Sequence, residues 1–119
     1  MACSIPPHAE TAIAFASALV AGNFAHAHSF LTPALRQLLT PERLREELSG
    51  MIDGYTDGEP MSVTFDPEFV QTDWATKRHD DIGWVYLGIH GNGFVEAVTV
   101  IIAATEHGPL IRNVEWGRP

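Results

Sequence analysis

The sequence predicts an α+β domain in which N-terminal helices pack on an antiparallel sheet. Three observations carry this expectation. The first 52 residues repeat apolar side chains at helical spacing and hold two Thr-Pro pairs that suit helix starts. The second half reads as strands, with "MSVTF" alternating and apolar runs of strand length up to Trp116. Between its two most apolar runs stands Asn92-Gly93, the strongest short hairpin signal.

The helices follow in order. Pro6 and Pro7 suit a first helical turn, where a missing N–H costs little. From Ala9 to Ala21, Ala12, Phe15, Ala16 and Leu19 fall on one helix face, widened by Ile13 and Val20. Gly22 suits the left-handed residue that stops this helix, and Asn23 suits the N-cap of a short second one. The second helix should bury Phe24, Ala27, His28 and Leu31. Thr32-Pro33 and Thr40-Pro41 then open two more helices, the latter running to Ile52 with Leu44, Leu48 and Met51 or Ile52 inward. Glu42, Arg43, Arg45, Glu46 and Glu47 form its wet face. Gly54, Asp57, Gly58 and Pro60 read as a turn cluster.

The strands come next. "MSVTF" places Met61, Val63 and Phe65 on one side, and "FVQTDWAT" is expected to be an irregular second strand after Asp66-Pro67. Lys77 to Asp81, "KRHDD", reads as a polar tip. If Asn92-Gly93 is a two-residue turn, Gly91 opposes Phe94 and Ile89 opposes Glu96. One hairpin face then carries Val85, Leu87, Ile89, Glu96, Val98, Val100 and Ile102. The other carries Trp84, Tyr86, His90, Val95, Ala97, Thr99 and Ile101. After a turn over Glu106–Pro109 comes a last strand, "LIRNVEW". If Ala104 opposes Leu110, then Val100 opposes Val114, Val98 opposes Trp116 and Glu96 opposes Arg118. Arg112 then shares a face with Leu110, Val114 and Trp116, while Ile111, Asn113 and Glu115 point the other way.

At 119 residues, 1–119 is expected to be one domain. Seven Lys and Arg against fifteen Asp and Glu give a formal charge of −8. Such a field repels phosphate backbones and anionic lipid, so neither nucleic acid nor a membrane surface is expected as partner. A single cysteine, Cys3, allows no internal disulfide and fits a reducing compartment. The start lacks a cationic signal region, and the apolar stretch Ala12–Ala21 is too short to span a bilayer, so the expected location is cytoplasmic. Both faces of the hairpin are apolar and helices cover only one, so a homodimer through the face with Trp84 and Tyr86 is expected.

The order of elements resembles the nuclear transport factor 2-like, or cystatin-like, superfamily over nearly the whole chain. The likeness is sharpest at "FASALVAGNFAHAHSFLTPALRQLLTPERLREEL". That resemblance implies a cone, a curved sheet wrapped around helices, with a pocket at its open end. The superfamily spans isomerases, cyclases, hydrolases and non-catalytic binding modules, so the fold alone names no function. The ending "IRNVEWGRP" is similar to bacterial immunity proteins of this fold, which neutralise toxins. No catalytic residue of the isomerases maps onto this chain.

Among candidate residues Glu96 stands first, the lone carboxylate of "GNGFVEAVTVIIAA". Two readings stay open: a general base at a pocket, or half of an ion pair with Arg118 or Arg112. Arg112 itself suits a bidentate contact, either to a carboxylate ligand or to an internal acid. Glu96, Arg112, Trp116 and Val98 form the expected ligand-binding set. His26 and His28 are two apart and do not share a helix face, and no HExxH or Cys pair occurs, so neither a metal nor a cofactor is expected. His28 is read as a core histidine with a hydrogen-bond partner. The functional expectation is a non-catalytic module binding a small apolar ligand or a protein, a toxin included. The alternative is a small cofactor-free isomerase, cyclase or hydrolase using Glu96.

Overall fold

The computed structural model describes residues 7–52, 57–71, 74, 77–92 and 94–116. Four helices, α1 (Pro7–Val20), α2 (Phe24–His28), α3 (Pro33–Leu38) and α4 (Pro41–Ile52), precede four strands. The strands are β1 (Asp57–Gln71), β2 (Asp81–Asn92), β3 (Phe94–Thr105) and β4 (Gly108–Trp116), and they pair antiparallel in the order β1-β2-β3-β4. This is the predicted α+β arrangement.

Local chemistry sets the helix ends. Gly22 takes φ +76°, its N–H donates to Leu19 O, and the Asn23 N–H donates to Ala18 O. These two bonds form the Schellman stop that a left-handed glycine permits. The Asn23 side chain then accepts from the His26 N–H to start α2. Thr32 and Thr40 accept from the Leu35 and Arg43 N–H groups, each followed by proline at the first helical position. The half-buried His28 donates its Nε2–H to Arg36 O at 3.0 Å, the partner a core histidine requires.

The hairpin register matches the expectation: Gly91 pairs with Phe94, Ile89 with Glu96, Leu87 with Val98 and Val85 with Val100. Gly93 lies outside the described residues. Val85, Leu87, Ile89, Val98, Val100 and Ile102 are all completely buried. They form one core with Phe15, Leu19 and Leu44 from the helices and Leu31 from the α2–α3 junction. Helix α1 is the element that packs most broadly on the sheet.

Three expectations change. β1 begins at Asp57, so the proposed turn cluster ends inside a strand, while residues 53–56 lie outside the description. Of "FVQTDWAT", the first three residues belong to β1, whose register breaks between Phe65 and Val70, where Asp66-Pro67 interrupts the ladder; 72, 73, 75 and 76 lie outside the described residues. In β4 the expected register holds from Trp116 to Asn113 and then slips, with Ile102 opposite Ile111 and Ala103 opposite Leu110. Arg112 is the extra residue of this bulge. The slip turns Ile111 inward, where it is fully buried, and parts Leu110 from the face of Val114 and Trp116. Ile111 also exchanges hydrogen bonds with the α2–α3 junction: its N–H donates to Phe30 O, and the Thr32 N–H donates to Ile111 O.

Candidate functional site

The expected ligand-binding residues separate into three places. Glu96 and Trp116 share an open cleft of about 400 Å³ between α4 and the hairpin end of the sheet. Arg43, Glu46, Glu47, Gly50 and Met51 complete its walls. α4 puts the charged residues there because its apolar stripe, Leu44 and Leu48, faces the core. Arg43 reaches Glu47 at 2.9 Å and Glu46 at 3.7 Å. Val98, two residues along β3 from Glu96, is sealed in the core.

Arg112 lies about 20 Å along the sheet from Glu96, by strand spacing over the six positions separating it from the expected partner position 118. Arg118 itself is outside the described residues. Arg112 is bound instead by Asp81: Nε lies 2.5 Å from Oδ1 and Nη2 lies 2.6 Å from Oδ2. The Asp81 side chain has no exposed surface and that of Arg112 has 16%. The Arg78 backbone N–H donates to Asp81 Oδ2 at 2.8 Å, closing the turn that leads into β2. These bonds hold the Asp81 carboxyl below its ordinary pKa; the Arg112 hydrogen bond is the chief cause, opposed by burial and aided by Arg78. Asp81 in turn raises the pKa of Arg112.

Two bulges build this pair. Ile82 is the unpaired residue between Asp81–Ala103 and Gly83–Ile102, and Arg112 is the unpaired residue on the other side of β3. The small Ala103 lies between the two strands that supply the charges. Sequence alternation does not mark Asp81: Gly83, Val85, Leu87 and Ile89 share one buried phase, and the bulge at Ile82 sets Asp81 opposite Ala103, outside it. A buried acid there needs a cation beside it.

The opposite face of the sheet is ordered by the same register. Trp84 pairs with Ile101, and Ile101 with Asn113; Tyr86 pairs with Thr99, and Thr99 with Glu115. Trp84 and Tyr86 stack with ring centroids 6.4 Å apart. Gly88 lies between them and His90, and a Cβ there would overlap Thr64 Oγ1, which sits 2.8 Å from His90 Nε2. Val95 is exposed beside His90. Ala97, Thr99 and Ile101 are buried in the middle of the face, and among the described residues the Thr99 hydroxyl has no hydrogen-bond partner. Glu115 lies on this face opposite Thr99.

No group of three or more metal-ligating side chains occurs among the described residues. No described helix is long and apolar enough to cross a membrane. No family model, curated protein or solved structure matches the chain.

Proposed function

We propose that this chain is a non-catalytic protein-interaction module of the nuclear transport factor 2-like fold, its sheet curved around the helices, and that it works through the face bearing Trp84 and Tyr86. The observation that carries this reading is the complete burial of Val85, Leu87, Ile89, Val98, Val100 and Ile102. A cavity wide enough for water would leave its lining side chains accessible, so these six border none. That weighs against a small apolar ligand held between sheet and helices.

The opposite face supplies what a protein contact uses. It extends about 20 Å along β2 from Trp84 to His90 and about 14 Å across the four strands. Its centre is aromatic and aliphatic, and of its described carboxylates Asp81 is neutralised by Arg112, in a chain with fifteen acids. Low charge suits contact with a second copy, since two chains of charge −8 repel elsewhere. A toxin is the further partner suggested by the ending "IRNVEWGRP", and a basic one would be steered in. Sedimentation of wild type and Trp84→Glu tests the reading. Association in the wild type that the variant loses supports it, and sedimentation as a monomer by both removes the self-association.

One observation favours a second reading, the small cofactor-free enzyme: Glu96 lines an open cleft with Trp116. Turnover of an isomerisation or hydrolysis substrate, abolished by Glu96→Gln, would establish it over the first.

A further inference from the structure

The Asp81 end of the sheet carries a second open cleft, of about 580 Å³, walled by the turn from Arg78 to Asp81, the end of β3, Thr32 and Arg112. Arg112 enters it already oriented. Asp81 takes the side-on pair of guanidinium donors, Nε and Nη2. A guanidinium has five N–H donors in a fixed plane, so this leaves three: the end-on fork of one hydrogen each from Nη1 and Nη2, and the second hydrogen of Nη1. Among the described residues no side chain or carbonyl occupies that fork, and Nη1 is not among the buried unsatisfied atoms.

The same carboxylate places a second cation. Because Asp81 Oδ2 accepts from the Arg78 N–H, and the Asp81 N–H donates back to Arg78 O, the turn is closed on itself. The Ala104 N–H fixes it further by donating to Asp80 O at 2.8 Å. The exposed side chain of Arg78 therefore starts from a fixed point on the cleft wall. Asp80 is turned to His79 at 2.9 Å. One buried acid thus neutralises one arginine, holds it flat, and anchors the backbone of another.

We infer that this cleft binds a small carboxylate anion, with the end-on fork of Arg112 as the fixed donor and Arg78 as the mobile second cation. A carboxylate presents two coplanar oxygens that match such a fork. Orientation of the guanidinium by Asp81 removes ordering cost on binding. Arg78 and Arg112 balance Asp80 and Asp81, so the local charge is close to zero within a chain of charge −8. Binding then rests on directed hydrogen bonds more than on long-range attraction.

The test is a titration of sodium succinate followed by amide and arginine Nε NMR signals, against sodium chloride at matched ionic strength. The expected result is saturable shifts confined to Arg78–Asp81, Ala104 and Arg112 Nε, absent with chloride. Arg78→Ala should weaken the midpoint by about fivefold, the scale of an exposed charge contact. Arg112→Lys, which keeps the charge but loses the fork, should abolish saturation. Should Arg112→Lys fail to fold, Arg78→Ala decides alone, because that side chain is exposed. Shifts that fail to saturate or equal those with chloride would overturn the inference. So would binding that Arg78→Ala leaves unchanged.

Discussion

Removing the guanidinium of Arg112 should be far more damaging than its position near a sheet edge suggests. The perturbation is Arg112→Met, which keeps an apolar stem and deletes the charge. It leaves Asp81, with no exposed side-chain surface, holding a carboxylate supported only by the Arg78 N–H. Two unit charges about 4 Å apart at an effective dielectric near 20 attract by about 4 kcal/mol. Breaking a buried pair from one side costs about 3–5 kcal/mol. Asp81→Asn removes the charge from the other side and leaves Arg112 able to turn toward the cleft, so a smaller cost of about 1–3 kcal/mol is expected. The double variant should recover much of the loss, because neither buried group is then left uncompensated. Urea denaturation at several pH values reads all four proteins. The folded-state pKa of Asp81 lies below its unfolded value in the wild type. Its contribution is therefore present above the unfolded value of about 4 and is lost as pH falls through the lower folded value. In Arg112→Met the isolated buried carboxyl should titrate above its unfolded value, so the sign reverses and this group's stabilisation is lost as pH rises. The gap between wild type and variant should narrow on acidification. A gap below about 1 kcal/mol that does not change between neutral and acid pH would refute the reasoning.

Other outcomes follow from the same structure. Val98→Ala should cost about 2–3 kcal/mol in denaturant titration, as for a packed core valine; a loss near zero would mean that Val98 borders open space. Thr99→Val should stabilise the isolated chain by about 1 kcal/mol in a thermal melt, since the buried hydroxyl lacks a partner among the described residues. If the same change instead weakens self-association, the hydroxyl is used across the contact. Gly22→Ala should destabilise by about 1 kcal/mol, because φ is +76° there, and Gly22→Asn should cost less.

Much of the fold was legible because local chemistry and periodicity agree. The limits of α4 follow from Thr40-Pro41 at one end and the loss of helical spacing at the other. The hairpin register follows from one Asn-Gly pair, since a slip by one would have put Leu87 and Val98 on opposite faces of the sheet. β4 was legible only up to Asn113. A bulge adds a residue without marking the sequence, and Arg112 is that residue. Its partner was obscured for another reason: "KRHDD" is so polar that it reads as a solvated tip, and the bulge at Ile82 breaks the alternation of β2 before Asp81. The candidate site was therefore half visible. Glu96 and Trp116 do line one cleft, while Val98 is packed away and Arg112 serves Asp81 at the other end.

The proposal that this is an interaction module depends most directly on whether the Trp84–Tyr86 face is covered in solution. Light scattering across a micromolar concentration series measures this. The account predicts a mass approaching twice the 13.0 kDa of one chain, reverting to that of one chain on Trp84→Glu. A wild-type mass of one chain at every concentration would contradict it.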